Sequence, residues 1–332
     1  MTGYQPPLTL TATMLACVAE IGELVGRLSA RHEAALTPKL RRGNRIRTIQ
    51  ASLAIENNTL SVEQVTAVID GKPVLGPPRE IQEVRNAFAA YEAMPGWEPT
   101  RREHLLQAHE LLMRGLIDDA GRLRSGGVGI YRGERLLHLA PPASRIPQLV
   151  DDLLGWLAET DLHPLIASCV FHYEFAFIHP FADGKERMGR LWQTLLLSRW
   201  RPVLAWLPVE SVIRDRQDEY YAALAEADRL AEATPFALFM LAALHDALQI
   251  GLRSEAGTEK SAEQGSEERS ARGSSERLLE LLKQGPELSA RQAAQRLGLS
   301  SRAVEKQLAK LKAAGRLRRV GANKGGHWQV LD

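Results

Sequence analysis

Between Ser254 and Ser275 the chain carries no large apolar residue, only small, polar and charged ones. Such a stretch cannot bury enough surface to offset the entropy of ordering it, so the expectation is a flexible linker over 253–275. Any fold is thereby forced into two cores. The residues before the gap suffice for a sizeable one, and the short tail after it for a small one. Charge divides at the same place. Residues 276–332 hold 12 Lys and Arg against 5 Asp and Glu, which leaves 30 against 35 for the rest. A basic tail of this kind points to nucleic acid. The net charge of +2 gives no attraction of the whole chain to nucleic acid or to a membrane surface.

Other function classes are narrowed by what the chain contains. Cys17 and Cys169 have no metal or redox spacing, so a reduced, cytoplasmic protein is expected. Met1 to Leu15 lacks the basic flank and long apolar core of a signal peptide. The most apolar window, Phe236 to Leu248, is short for a bilayer and contains His245 and Asp246, so it reads as a core helix and no membrane is implied. Self-association is left open.

Helical periodicity dominates residues 1–252. Helices are predicted over Thr9–Leu36, Arg41–Asn57, Val62–Ile69, Glu80–Ala93 and Arg101–Leu116. Ser61 with Gln64 forms a capping box for the third of these, and Gly71 closes it. From Gly121 to Ala140 the pattern changes. Val128-Gly129-Ile130-Tyr131 and Leu136-Leu137-His138 flank a turn and form the best hairpin candidate, which Pro141-Pro142 stops. Helices resume over Ile146–Glu159, Pro164–Phe177, Arg187–Trp200, Gln217–Ala231 and Pro235–Leu252. Trp156, Trp192 and Trp200 lie at apolar positions and read as core.

The tail reads as three helices, Glu276–Lys283, Ala290–Leu297 and Ser301–Ala314, then short strands Leu317–Val320 and Trp328–Leu331. Helix-turn-helix followed by a two-stranded wing is a winged-helix pattern. Arg302, Lys306 and Lys310 recur every four residues and form one basic stripe on the third helix, suited to DNA phosphates. The alternative is a protein-binding winged helix with a solvated basic face.

The chemistry is concentrated in His179 to Arg190, reading H-P-F-A-D-G-K-E-R-M-G-R, with an apolar run from Leu191 to Leu197 behind it. His179 precedes proline and is expected in an extended conformation. Asp183-Gly184 suits a turn, and a helix starting near Arg187 would present free N–H groups and its positive dipole end to an anion. Arg187 and Arg190, three apart, share a face and suit a di- or triphosphate. Asp183 is a candidate Mg²⁺ ligand, and His179 a candidate proton acceptor from an attacking hydroxyl. His172, seven residues earlier on an apolar helix, reads as a structural histidine.

This stretch resembles the Fic family motif, H-P-F-x-D/E-G-N-G-R-x-x-R, and the resemblance extends over much of residues 1–252. Pro164 to Arg190 is similar to the family's helix-loop-helix core. Arg122-Leu123-Arg124 through Pro142 resembles its flap, and Ser52-Leu53-Ala54-Ile55-Glu56-Asn57 its inhibitory-helix motif, S/T-x-x-x-E-G/N. The resemblance implies a mainly α fold: a Fic-type helical core with a β-hairpin flap, plus the C-terminal winged helix-turn-helix. The implied organisation is an N-terminal helical region over 1–100, a catalytic core over 101–252, the linker and a DNA-binding domain over 276–332.

It also implies an activity, transfer of AMP from Mg²⁺-ATP to a Ser, Thr or Tyr hydroxyl of a target protein. His179 would be the base and Asp183 the Mg²⁺ ligand. Gly184, Lys185, Glu186, Arg187, Met188, Gly189 and Arg190 would hold the phosphates, Arg190 the γ-phosphate. Glu56 would pair with Arg190 and exclude productive ATP, and removal of AMP is a further family activity. Val128, Ile130, Leu136 and His138 of the flap would bind target backbone by strand addition. His138 on the hairpin surface alone is the competing reading.

Two positions depart from the motif: Lys185 stands where the family has Asn, and Glu186 where it has the second Gly. A carboxylate near a triphosphate costs about 1 kcal/mol per charge pair in water and about 4 at an effective dielectric near 20. Lys185 offsets Glu186, or Glu186 turns outwards, or transfer is weak, altered in donor, or absent. The last case leaves a transcriptional regulator that binds nucleotide and DNA. Arg216 stands before Tyr220-Tyr221 where relatives often carry Asn near adenine.

Overall fold

The computed structural model describes residues 3–35, 38–132, 135–297, 301–321 and 326–331, with only the backbone of 31–35, 39, 129–132, 135–139, 254–275, 302 and 303. The chain divides into two compact units, Met1–Leu252 and Arg253–Asp332.

The first unit runs α1 (Ala12–Ala35), α2 (Pro38–Ile55), α3 (Val62–Ile69), α4 (Pro78–Ala93), α5 (Arg102–Met113), β1 (Gly129–Arg132), β2 (Arg135–Leu139), α6 (Ile146–Glu159), α7 (Pro164–Ile178), α8 (Lys185–Trp200), α9 (Val209–Asp215), α10 (Gln217–Leu230) and the first part of α11 (Thr234–Gln284). Local chemistry sets several ends. Ser61 Oγ accepts from the Gln64 N–H at 3.2 Å while the Ser61 N–H donates to Gln64 Oε1 at 2.9 Å, the reciprocal box expected for α3. Gly71, at φ +71°, follows its end. Prolines open α4 and α7, where a missing N–H costs nothing.

The helices of 1–100 and of 101–252 share one apolar core. It contains Ile49, Leu53 and Ile55 of α2 together with Phe171 and Phe175 of α7, Trp192 and Leu195 of α8, and Phe236 and Met240 of α11. Burying one such side chain contributes about 1.5–3 kcal/mol. Trp192 also donates its Nε1–H to the Pro99 carbonyl at 3.0 Å. Trp156 is buried, while Trp200 is half-buried and meets His163 edge-on. The apolar run in α11 is longer than Phe236–Leu248. Thr234–Arg253 reaches the length and hydropathy of a membrane span, yet Phe236, Ala237, Met240, Leu241, Leu244 and Leu248 are fully buried in this core.

The flap strands pair antiparallel, Gly129 opposite Leu139 and Arg132 opposite Arg135, with the register slipping between Ile130 and Tyr131. Helix α9 has no counterpart among the helices expected from the sequence. Helix α8 starts at Lys185, two residues before the expected start at Arg187, because Gly184 takes φ +79° and turns the chain straight into the helix. Residues 253–275, expected as a flexible linker, have helical backbone continuous with α11.

The second unit adds α12 (Ala290–Leu297), α13 (Ser301–Ala313), β3 (Leu317–Val320) and β4 (His327–Val330), the strands antiparallel. Leu278 and Leu282 of α11, Ala293 and Ala294 of α12, Val304 and Leu308 of α13, Leu317 and Trp328 form its core. It is a helix-turn-helix with a wing.

Candidate active site

His179 is the C-terminal cap of α7. Its N–H still donates to the Phe175 carbonyl at 3.1 Å, and its backbone turns left-handed, φ 52° and ψ 62°. The extended conformation expected before Pro180 is therefore corrected: both left-handed and extended backbone avoid the clash with proline, and helix capping selects the first. A non-glycine residue held at positive φ stores strain of about 1–3 kcal/mol, and such residues cluster at functional sites.

Arg124 fixes this corner. Buried at the base of the flap, it donates to the carbonyls of His179 at 2.6 Å, Gly126 at 2.7 Å and Pro141 at 2.6 Å, and its N–H donates to the Pro180 carbonyl at 2.9 Å. His109 of α5 fixes the other side of the loop. Its Nδ1 accepts from the Gly121 N–H at 2.9 Å, so Nε2 carries the hydrogen and donates to the Asp183 carbonyl at 3.0 Å. Burial lowers its pKa and keeps it neutral, and its ring stacks on Phe181 at 3.7 Å. Neither residue announces itself in the sequence, because each acts on backbone atoms far along the chain.

Gly184 has no room for a side chain: a Cβ there would lie 2.5 Å from Met113 Sδ. Beyond it the N–H groups of Lys185, Glu186 and Arg187 form the first turn of α8 and have no helical acceptor. The Met188 N–H bonds back to the Gly184 carbonyl at 3.0 Å and its side chain is core. Gly189 packs against the His172 ring, where a Cβ would come within 2.9 Å of Cδ2. His172 sits as expected of a structural histidine, with Gln193 on Nδ1 at 2.7 Å and Tyr220 on Nε2 at 3.3 Å, its pKa pushed down to about 4 by burial.

The arginines do not act as one pair. Arg187 faces Asp183 Oδ1 at 3.3 Å and Glu83 Oε1 at 3.4 Å. Arg190 points to α2 instead. Its Nε donates to Ser52 Oγ at 2.9 Å, and its Nη2 to the Ser52 carbonyl at 2.9 Å and Glu56 Oε1 at 2.8 Å. Burial would lower its pKa, but Glu56 and its other neighbours raise it on balance. Glu56 remains 25% exposed while Arg190 is 1% exposed, so solvent reaches the carboxylate and not the guanidinium.

Lys185 is buried and donates from Nζ to His179 Nδ1 at 2.7 Å, with Glu186 Oε1 at 3.4 Å. Burial pushes its pKa down against the pull of Glu186, Asp228 and Glu56. The two departures from the motif thus meet as an ion pair, and the cation rests on the imidazole.

Asp183 accepts from its neighbour's N–H, Gly184, at 2.6 Å, and its Oδ2 faces Arg79 at 3.2 Å. Among the described residues no three His, Cys, Asp or Glu gather as a metal cage. One carboxylate, 43% exposed, suits a Mg²⁺ ion that keeps several waters and is shared with substrate phosphates. Val128 is half-buried and its carbonyl accepts from the Ala140 N–H at 3.2 Å. Ile130, Leu136 and His138 lie on the flap strands, their side chains outside the described residues. Lys306 and Lys310 are exposed on α13, opposite buried Val304, Leu308 and Leu311; the Arg302 side chain is likewise outside the description.

Such a loop, between a buried helix and a helix start facing an acidic residue of α2, defines a class of protein that comparison makes explicit. The Fic/DOC family model matches residues 99–197, and an HTH domain model residues 275–327. The crystal structure of a Fic family protein from Desulfovibrio desulfuricans G20 is 54% identical, covers 99% of this chain and 98% of its own, and superposes with a TM-score of 0.74. The chain belongs to the Fic family. Protein adenylyltransferase fic-1 of Caenorhabditis elegans is 29% identical over 205 residues, 57% of this chain and 37% of that one. Protein adenylyltransferase Fic of Nematostella vectensis is 28% identical over 206 residues, 58% and 45% respectively. The chain thus spans less than half the length of these curated relatives.

Proposed function

We propose that the protein transfers AMP from ATP to a hydroxyl side chain of a target protein, under restraint by Glu56. The observation that carries this reading is Arg190: a buried guanidinium on the helix that starts at the anion-binding turn, its front occupied by one partly exposed carboxylate. A triphosphate offers the same donors the same chemistry and competes directly. The relatives named as adenylyltransferases support the reaction type.

In this mechanism the first turn of α8 and Arg187 take the phosphates, and Arg190 the terminal one after Glu56 swings away. Mg²⁺ held by Asp183 and the nucleotide would neutralise charge on the leaving pyrophosphate. The Lys185 ammonium turns from His179 to the phosphates and frees the ring. The target hydroxyl attacks the α-phosphorus, the bond to the β-phosphate oxygen breaks, and His179 takes the hydroxyl proton. The flap would hold target backbone beside the loop.

A second reading is favoured by one contact: Lys185 already occupies the His179 Nδ1 lone pair. There the chain is a regulator that binds nucleotide and DNA without transfer. Full-length protein carrying Glu56→Gly, incubated with α-labelled and separately with γ-labelled ATP, decides between them. Covalent α-label alone is expected. Covalent γ-label alone means phosphoryl transfer. No label from either, with label appearing once Lys185→Asn and Glu186→Gly are added, establishes the regulator.

The winged helix is proposed to bind DNA phosphates through Lys306 and Lys310. Replacing either with alanine is expected to weaken binding to all sequences alike and to reduce the salt slope by about one, measured by anisotropy across a salt series.

A further inference from the structure

Arg190 has a back as well as a front. Its Nη1 is buried and has no hydrogen-bond partner among the described residues. Behind it lies Glu210 of α9, 2% exposed, which the mechanism does not use. One oxygen of Glu210 is engaged: Oε1 accepts from the Tyr91 hydroxyl at 3.1 Å and the Thr194 hydroxyl at 3.3 Å. The other, Oε2, is buried without a partner among the described residues.

Arg190, Gln193, Thr194 and Glu210 line one cavity, closed by Leu197, Val209 and Ile213, with a volume of about 10 Å³. That is the room a single water needs, and the two orphaned atoms are a donor and an acceptor. A buried polar atom left unpaired costs about 1–3 kcal/mol, so two of them on residues that line one small cavity mark a bridged site.

We propose that Glu210 is a positioning residue for Arg190, gripping the guanidinium from behind through one buried water. The role rests on the reading of Arg190 as the phosphate-binding arginine. The front carboxylate, Glu56, must leave for a nucleotide to enter, and Ser52 alone would then hold the side chain in place. Glu210 cannot leave. Its helix is seated in the core through Val209, Val212 and Ile213, and Tyr91 and Thr194 hold its other oxygen. The guanidinium therefore keeps its plane and position through the exchange of Glu56 for phosphate, and the site is preorganised for its ligand.

The test uses the full chain carrying Glu56→Gly, with ATP and Mg²⁺ binding read by calorimetry. Adding Glu210→Leu is expected to weaken ATP binding at least tenfold. Adding Glu210→Gln, which keeps the shape and can still hydrogen-bond the water, is expected to stay within threefold. Leucine binding ATP within threefold of the parent, or glutamine as weak as leucine, overturns the proposal. A high-resolution crystal structure of the unsubstituted protein is the second arm and is independent of folding defects in the variants. A water bonded to both Arg190 and Glu210 is expected there. A dry cavity, or direct contact between the two side chains, overturns it. ATP that binds and is not transferred removes the transferase reading and leaves this inference standing. If ATP does not bind the Glu56→Gly parent, the nucleotide reading fails and the crystal structure alone decides this one.

Discussion

His179→Ala is expected to lower AMP transfer by about 10²- to 10⁴-fold, the range for losing a positioned general base. The measurement is self-labelling in a Glu56→Gly background, with ATP binding followed in parallel. Binding should stay within a few-fold, because the groups assigned to the phosphates lie on α8 and not on His179. The stability change separates this from simple damage. Alanine at φ 52° keeps the left-handed strain, about 1–2 kcal/mol, while glycine relieves it. His179→Gly should therefore be as inactive as His179→Ala yet melt at a higher temperature. Alanine keeping a tenth of the activity would remove His179 from the role of base, and glycine melting lower would show that no left-handed strain is stored there.

Glu56→Gly should raise ATP-dependent labelling by about 10- to 100-fold. The estimate starts from a charge-assisted hydrogen bond worth about 1.5–3 kcal/mol, with each 1.4 kcal/mol a factor of ten. The 2.8 Å bond to Arg190 is of this kind, though Glu56 is partly open to solvent. Its position gives the carboxylate little part in stability. Glu56 follows directly on the last turn of α2, at the negative end of the helix dipole, where an acidic residue is disfavoured by about 0.3–1 kcal/mol. The melting temperature of the glycine variant should accordingly fall by only a few degrees. Labelling unchanged from the parent protein, with ATP affinity also unchanged, would show that Glu56 restrains nothing.

Legibility followed locality. Helices α3, α6 and α12 are legible to the residue because capping boxes, prolines and apolar period act within a few positions. The Glu56–Arg190 pair was legible only through resemblance to a family motif, since 134 residues separate its members. Helix α9 has seven residues and no side-chain cap, too little pattern to stand out, and it carries Glu210. Arg124 and His109 serve carbonyls and so leave no partner to find in the sequence. The left-handed His179 and the early start of α8 come from how two helix ends share one tight loop, which no single residue encodes.

Helix α2 is buried along the face that carries Ile46, Ile49, Ser52, Leu53 and Ile55, so Glu56 is mounted on the core itself. Mass action then sets the proposed restraint. Nucleotide and carboxylate would compete for one guanidinium, and the carboxylate is never diluted. A protein open for about 1% of the time would show an apparent dissociation constant about 100-fold above its intrinsic one. That factor belongs to the single chain: it does not change with how much protein a cell makes. An inhibitor supplied as a separate protein can be outnumbered, whereas the brake proposed here would always equal its engine in number.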